Sequence, residues 1–148
     1  MKMQSRRWMV RSVAALLGSS LLLGAALAQD VKKAKLGHSF ADTHPRAVAM
    51  KQFAANVEKA TGGKVVIEVF GNSTLGGEDK MLIALQSGTQ DLYMGALAPI
   101  SARKKEMQIF DFPFLFGSDA EAAHVLDGPV GRKMLDGLAD MNIQGLVW

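Results

Sequence analysis

The run Leu36-Gly37-His38-Ser39-Phe40-Ala41 brings a serine next to a histidine in the order strand, Gly, His, Ser, x, small residue. That order belongs to a nucleophile elbow, in which a strained turn exposes a serine hydroxyl for acyl transfer. Here Ala41 stands where the tight turn needs glycine, and the polar run Asp42-Thr43-His44-Pro45-Arg46 follows where a helix should begin at once. His38, Asp42 and His44 also bring metal-ligating side chains into one loop, but their spacing matches no zinc pattern. The loop Gly71–Gly77 contains glycine yet lacks the Gly-Lys-Ser/Thr ending that grips phosphate. None of these stretches is a complete catalytic signature.

The elements that would position them alternate between strand and helix. Lys35–His38 begins a strand, and Pro45 suits the first turn of a helix, where its missing N–H costs nothing. Thr43 or His44 is the expected N-cap. Ala47, Met50, Ala54 and Val57 lie at helical spacing with Phe53 beside them. Gly62-Gly63 supplies the left-handed stop. Lys64–Ala98 then reads as strand, glycine-rich loop, amphipathic helix Glu78–Gln86, glycine turn and second strand Leu92–Ala98. Two such strands are expected parallel with a right-handed crossover, and ligands sit at the carboxyl ends of such strands. Arg103-Lys104-Lys105 reads as a solvated helix face. Ile109–Phe116 packs four aromatics around Pro113 and reads as core or as a pocket wall. Ser118-Asp119-Ala120-Glu121 is a capping box. Val130–Met141 is a further helix, with Val130, Met134, Leu135 and Leu138 inward. Asn142 ends it, and Ile143–Trp148 starts another strand. The pattern predicts an α/β layered fold with a largely parallel sheet flanked by helices, and a chain stopping inside a strand reads as a fragment.

Residues 1–28 have a different character. Lys2, Arg6, Arg7 and Arg11 precede the apolar stretch Val13–Leu27, and Ala26-Leu27-Ala28 is a small-x-small cleavage site. This is the pattern of a secretory signal peptide, cleaved after Ala28; Ser5-Arg6-Arg7 also resembles a twin-arginine export motif. The chain carries 17 basic and 14 acidic residues. Without the four basic residues of this segment it is close to neutral, which gives no argument for nucleic acid. There is no cysteine, hence no disulfide framework and no lipoprotein attachment.

L-G-H-S-F-A-D-T-H-P, T-G-G-K-V-V-I-E-V-F-G-N-S-T-L-G-G-E, L-Q-S-G-T-Q-D-L, F-D-F-P-F-L-F and D-G-P-V-G follow one another in this order. Together they resemble the N-terminal part of a TRAP-transporter solute-binding protein of the DctP family, over Lys35–Trp148. Gly71 stands where the family usually has proline. The resemblance implies a periplasmic-binding-protein-like lobe, residues 29–148, of a two-lobed extracytoplasmic protein that performs no covalent chemistry and uses no cofactor or metal. It implies a small organic acid, such as a C4-dicarboxylate or sugar acid, passed in the periplasm to a permease of small and large membrane subunits. The site residues it implies are Ser39, Phe40, Glu78, Ala96, Leu97, Phe112 and Phe114; some members carry glutamate in place of Ala96. Arginine, whose planar fork meets a carboxylate bidentately, is the family's signature ligand group, expected beyond Trp148. Two other readings are an ABC-type periplasmic binding protein and an exported α/β hydrolase using Ser39.

Overall fold

In the computed structural model, which describes residues 30–148, Leu36 and His38 of the first strand are almost wholly buried, because that strand is the middle one of its sheet. The signal-peptide reading falls outside the described residues. β1 (Lys32–His38) pairs on one side with β2 (Val65–Phe70) and on the other with β3 (Leu92–Met94), and all three strands run parallel in the order β2-β1-β3. The two strands of the Lys64–Ala98 unit are thus parallel as expected but not neighbours, since β1 lies between them. The register sets Gly37 opposite Phe70 on one side and Tyr93 on the other.

The first helix, α1 (Pro45–Ala60), has proline in its opening turn, and His44 caps it by accepting the Arg46 N–H at Nδ1. It buries Ala47 and Ala54; Phe53 is exposed rather than packed. Thr61 follows it, and Gly62 and Gly63 take positive φ to turn the chain into β2. The next helix, α2 (Glu78–Gln86), has its two acids at the positive end of its dipole and buries Met81 and Leu82 completely. Gly37 in β1 makes room for it, because a Cβ there would lie 2.8 Å from Met81 Sδ.

β3 is shorter than expected. It ends at Met94, and Ala98–Ser101 is a single helical turn, α3, with Pro99 in its opening turn and buried. Proline has no N–H for a sheet ladder but fits the start of a helix. A 3₁₀ segment, Lys105–Asp111, follows, then α4 (Asp119–Leu126), α5 (Pro129–Asp136) and a second 3₁₀ segment, Gly137–Met141. The capping box is present in part: Ser118 Oγ accepts the Glu121 N–H, while Glu121 reaches back to the N–H of Gly117.

The apolar core consists of Leu82, Met107, Leu135, Leu138 and Ile143, with Leu85, Leu97, Ile100, Phe110 and Trp148 packed around it. Three expectations are corrected in this half. Val130 is 58% exposed rather than inward. Ile143–Trp148 is not a strand: the Arg132 guanidinium takes up the carbonyls of Gly145 (2.7 Å) and Leu146 (3.5 Å), which a ladder would need. The basic triplet is not a free solvated face, since Arg103 bonds Asp79 at 2.9 Å and the Pro99 carbonyl at 2.7 Å, and Lys104 reaches Asp140 at 3.2 Å. Among the described residues no helix is long and apolar enough to cross a membrane.

Candidate functional site

The loops after the three strands meet at one end of the sheet. After β1 come Ser39 and Phe40. After β2 comes the loop Gly71–Gly77, whose Asn72 and Ser73 N–H groups donate to the carbonyls of Phe40 (3.0 Å) and His38 (3.2 Å). After β3 come Gly95–Leu97. Asn72 and Ser73 are both left-handed, with φ of 52° and 57°, a conformation that costs non-glycine residues roughly 1–2 kcal/mol each. The cross-loop hydrogen bonds hold that strained turn against the first loop.

Glu78, the first residue of α2, joins the first of these loops to the third. Its Oε1 accepts the Ser39 hydroxyl at 2.6 Å and the Ala96 N–H at 3.4 Å. Three of the expected site residues, Ser39, Glu78 and Ala96, are therefore one hydrogen-bonded corner. Tyr93 completes it, a residue the sequence reading passed over. Its hydroxyl is shielded from solvent and faces the Glu78 carboxylate. Burial raises the phenol's pKa well above its ordinary value, and the facing Glu78 charge adds to the rise.

Tyr93 is the sole tyrosine of the chain, so the raised pKa has a clean readout. An unfolded phenol ionises near ~10, whereas the folded one keeps its proton. The stability contribution is present below that pH and is lost as pH rises from it toward the raised folded value. In an ultraviolet pH titration, tyrosinate absorbance is expected to stay flat through the ordinary range and to appear with unfolding; Glu78→Gln should move it to lower pH. A normal titration of the folded chain would contradict this placement.

The other expected residues are elsewhere. The Phe40 ring stacks with His38 (5.9 Å) and His44 (4.6 Å), and the Arg46 guanidinium lies over it at 5.3 Å. Leu97 packs into the apolar core. Phe112 and Phe114 are 65% and 99% exposed, so they neither fill the core nor wall an enclosed pocket of the described residues. Phe114 also has a left-handed φ of 59°, turning the aromatic run outward after Pro113.

The catalytic and metal readings fail on geometry. Ser39 donates to a carboxylate, while both nitrogens of the buried His38 lack a partner, so no serine–histidine pair exists. The helix expected after an elbow starts only at Pro45. His44 is spent on capping, Asp42 pairs with Lys51 (2.7 Å) and Asn72 (3.1 Å), and no cluster among the described residues could hold a metal. The Lys51 hydrogen bond and charge hold the Asp42 carboxyl below its usual range. Gly71 has a steric reason: a Cβ there would lie 2.8 Å from His38 Cε1, so proline does not fit beside this histidine. A cavity of about 330 Å³ opens at the far end of α2, lined by Leu85, Gly88, Gln90, Leu92, Asn142 and Ile143. It lies at the opposite end of α2 from Glu78.

The bacterial extracellular solute-binding protein family 7, DctP, matches residues 36–148. The chain belongs to this family. A solute-binding protein of Verminephrobacter eiseniae is 37% identical over 114 residues, 77% of this chain and 34% of the relative. Among solved structures, the sugar acid binding protein DctPAm of Advenella mimigardefordensis, in complex with galactonate, matches with a TM-score of 0.72. It is 37% identical over 76% of this chain and 37% of that one. A TRAP periplasmic solute-binding protein of Sulfurospirillum deleyianum with bound succinate matches with a TM-score of 0.69, 32% identical over 74% and 35%. This DctP-family chain spans about a third of the length of these relatives. These relatives are solute-binding proteins.

Proposed function

We propose that this chain forms the first lobe of an extracytoplasmic TRAP-type solute-binding protein, which captures a small organic acid in the periplasm and delivers it to a membrane permease of small and large subunits. The observation that carries this reading is the convergence of Ser39, Glu78 and Ala96 where the carboxyl ends of β1 and β3 meet the start of α2. Open parallel sheets hold ligands at that end, and membership of an extracellular solute-binding protein family supports a ligand site there. The relatives' bound galactonate and succinate support an organic acid for this chain. A lobe of this kind traps its ligand by hinge closure against a partner lobe.

The test is a thermal-shift screen of the full-length gene product against C4-dicarboxylates, aldonates and uronates. At ligand concentrations about 100 times Kd, the expected stabilisation is roughly 2.7 kcal/mol. No shift with any acid of the three groups defeats the organic-acid reading. Two membrane-subunit genes without an ATPase beside the gene would support TRAP-type over ABC-type transport.

A further inference from the structure

The aromatic run that follows the first 3₁₀ segment, Lys105–Asp111, leaves its rings outside the core. Phe112 and Phe114 are exposed, and Ile109 and Leu115 beside them are open to solvent as well. Phe114 holds its place in the run from a left-handed backbone, with φ of 59°, which any residue with a Cβ adopts at a cost. Leu146 and Val147 are also exposed, at 60% and 77%. The two apolar segments meet at one contact: Phe110 packs against the core and stands edge-on to Trp148, with ring centroids 5.0 Å apart. Single exposed apolar residues are ordinary, but several gathered in one region mark a surface that another body covers.

We propose that the Phe112–Leu115 face is a docking surface, covered in the full-length gene product by a part of the same polypeptide that follows Trp148. The inference rests on the reading of this chain as one lobe of a longer protein. Two observations favour this occupant over a second copy or a separate protein. The chain spans about a third of the length of its relatives, so the larger part of each relative has no counterpart in residues 30–148. Trp148 already stands against Phe110, and Phe112 and Phe114 lie only two and four residues from Phe110. A segment setting out from Trp148, with a reach of roughly 3.3–3.6 Å per residue, needs only a few residues to lie over both rings. So short a closure has a small entropic cost, and burial of the two rings offsets the left-handed turn at Phe114. None of these residues belongs to the Ser39–Glu78–Ala96 corner, so the surface holds the protein together and does not touch the ligand.

The experiment replaces Phe114 of the full-length gene product with the photo-crosslinker p-benzoylphenylalanine, irradiates it and maps the products by peptide mass spectrometry. The expected product is an intramolecular cross-link from position 114 to a peptide on the far side of Trp148, on a protein of monomer mass. A cross-link between two copies, a cross-link confined to residues 30–148, or none at all overturns the proposal. Phe114→Ser in the same full-length protein gives a second readout. Removing a ring that stays in solvent leaves stability unchanged, whereas removing a covered one lowers the urea midpoint with the slope unchanged. A lower midpoint is expected; an unchanged or higher one counts against the proposal. The organic-acid reading is judged on the unsubstituted protein by its thermal shift, so a failed cross-link leaves that reading standing.

Discussion

Gly131→Ala is expected to lower the stability of the chain by about 1–3 kcal/mol, the range for forced overpacking. Helix propensity alone predicts the opposite sign, since alanine is favoured over glycine inside a helix by roughly 0.5–1 kcal/mol. The steric term decides. Gly131 is buried in α5, and a Cβ there would overlap the backbone of Leu126, the last residue of α4. The nearest atoms are its carbonyl oxygen, carbonyl carbon and Cα, so no side-chain rotation relieves the overlap. The two helices would have to part at the Asp127-Gly128 turn. That movement would reach the end of the described chain, because Trp148 Nε1 donates to the Gly131 carbonyl at 3.2 Å and its ring stands edge-on to Phe110 at 5.0 Å. A fall in the urea midpoint with the slope unchanged is the expected signature. A higher midpoint would show that the α4–α5 approach is looser than described.

Gly95→Ala should disable the corner itself. A Cβ at this position would overlap the Tyr93 ring at its hydroxyl oxygen and Cζ. The ring lies against the Glu78 carboxylate with its hydroxyl out of solvent, so it is displaced together with the loop that presents the Ala96 N–H. The expected cost is about 1–3 kcal/mol in stability and at least roughly 10-fold in organic-acid affinity, a tenfold change being about 1.4 kcal/mol. The cause can be isolated by a double-mutant cycle. In a Tyr93→Ala background the steric conflict is gone, and adding Gly95→Ala should cost almost nothing further. Additive losses would mean that Gly95 is needed for its backbone and not for the room it leaves to Tyr93.

Both predictions concern glycines whose role no local rule reveals. The glycines that local rules do explain were legible: Gly62 and Gly63 stop α1, and Gly88, with φ of 74°, follows α2. The helix Glu78–Gln86 is found at its expected bounds because its signals lie within a few residues of one another, acids at one end and a glycine at the other. Where an outcome depended on a distant partner, reading along the chain went astray. Leu92–Ala98 has strand composition throughout, yet it leaves the sheet after Met94, with the Ala96 N–H drawn to Glu78 and Pro99 opening a helical turn. Ile143–Trp148 is as apolar as a strand, but Arg132 takes the carbonyls of Gly145 and Leu146. The aromatic run Phe112–Phe116 looks like core, but the left-handed turn at Phe114 faces it outward.

At the candidate site the division is the same. The resemblance implies Ser39, Glu78 and Ala96, and the structure joins them by hydrogen bonds. Phe40 and Leu97 were named with them, but each packs against other groups. Tyr93 was not named, because the period-two alternation of a three-residue strand says nothing about which neighbour it faces. That depends on the pairing of Gly37 with Tyr93, a relation across more than fifty residues.

The sequence by itself determined the class of the protein: alternating strands and helices, their start and stop signals, and the ordered motifs that place the chain in the DctP family. These are local properties, set by backbone preference and by hydrophobic period over a turn or two. Only the tertiary structure decided that β1 is central, that Glu78 ties the first loop to the third, and that the Tyr93 hydroxyl faces Glu78 out of solvent. The reason is that strand order and register are settled by long-range pairing and by the shape of what packs above the sheet, and Gly37 and Gly95 show their purpose only against Met81 and Tyr93.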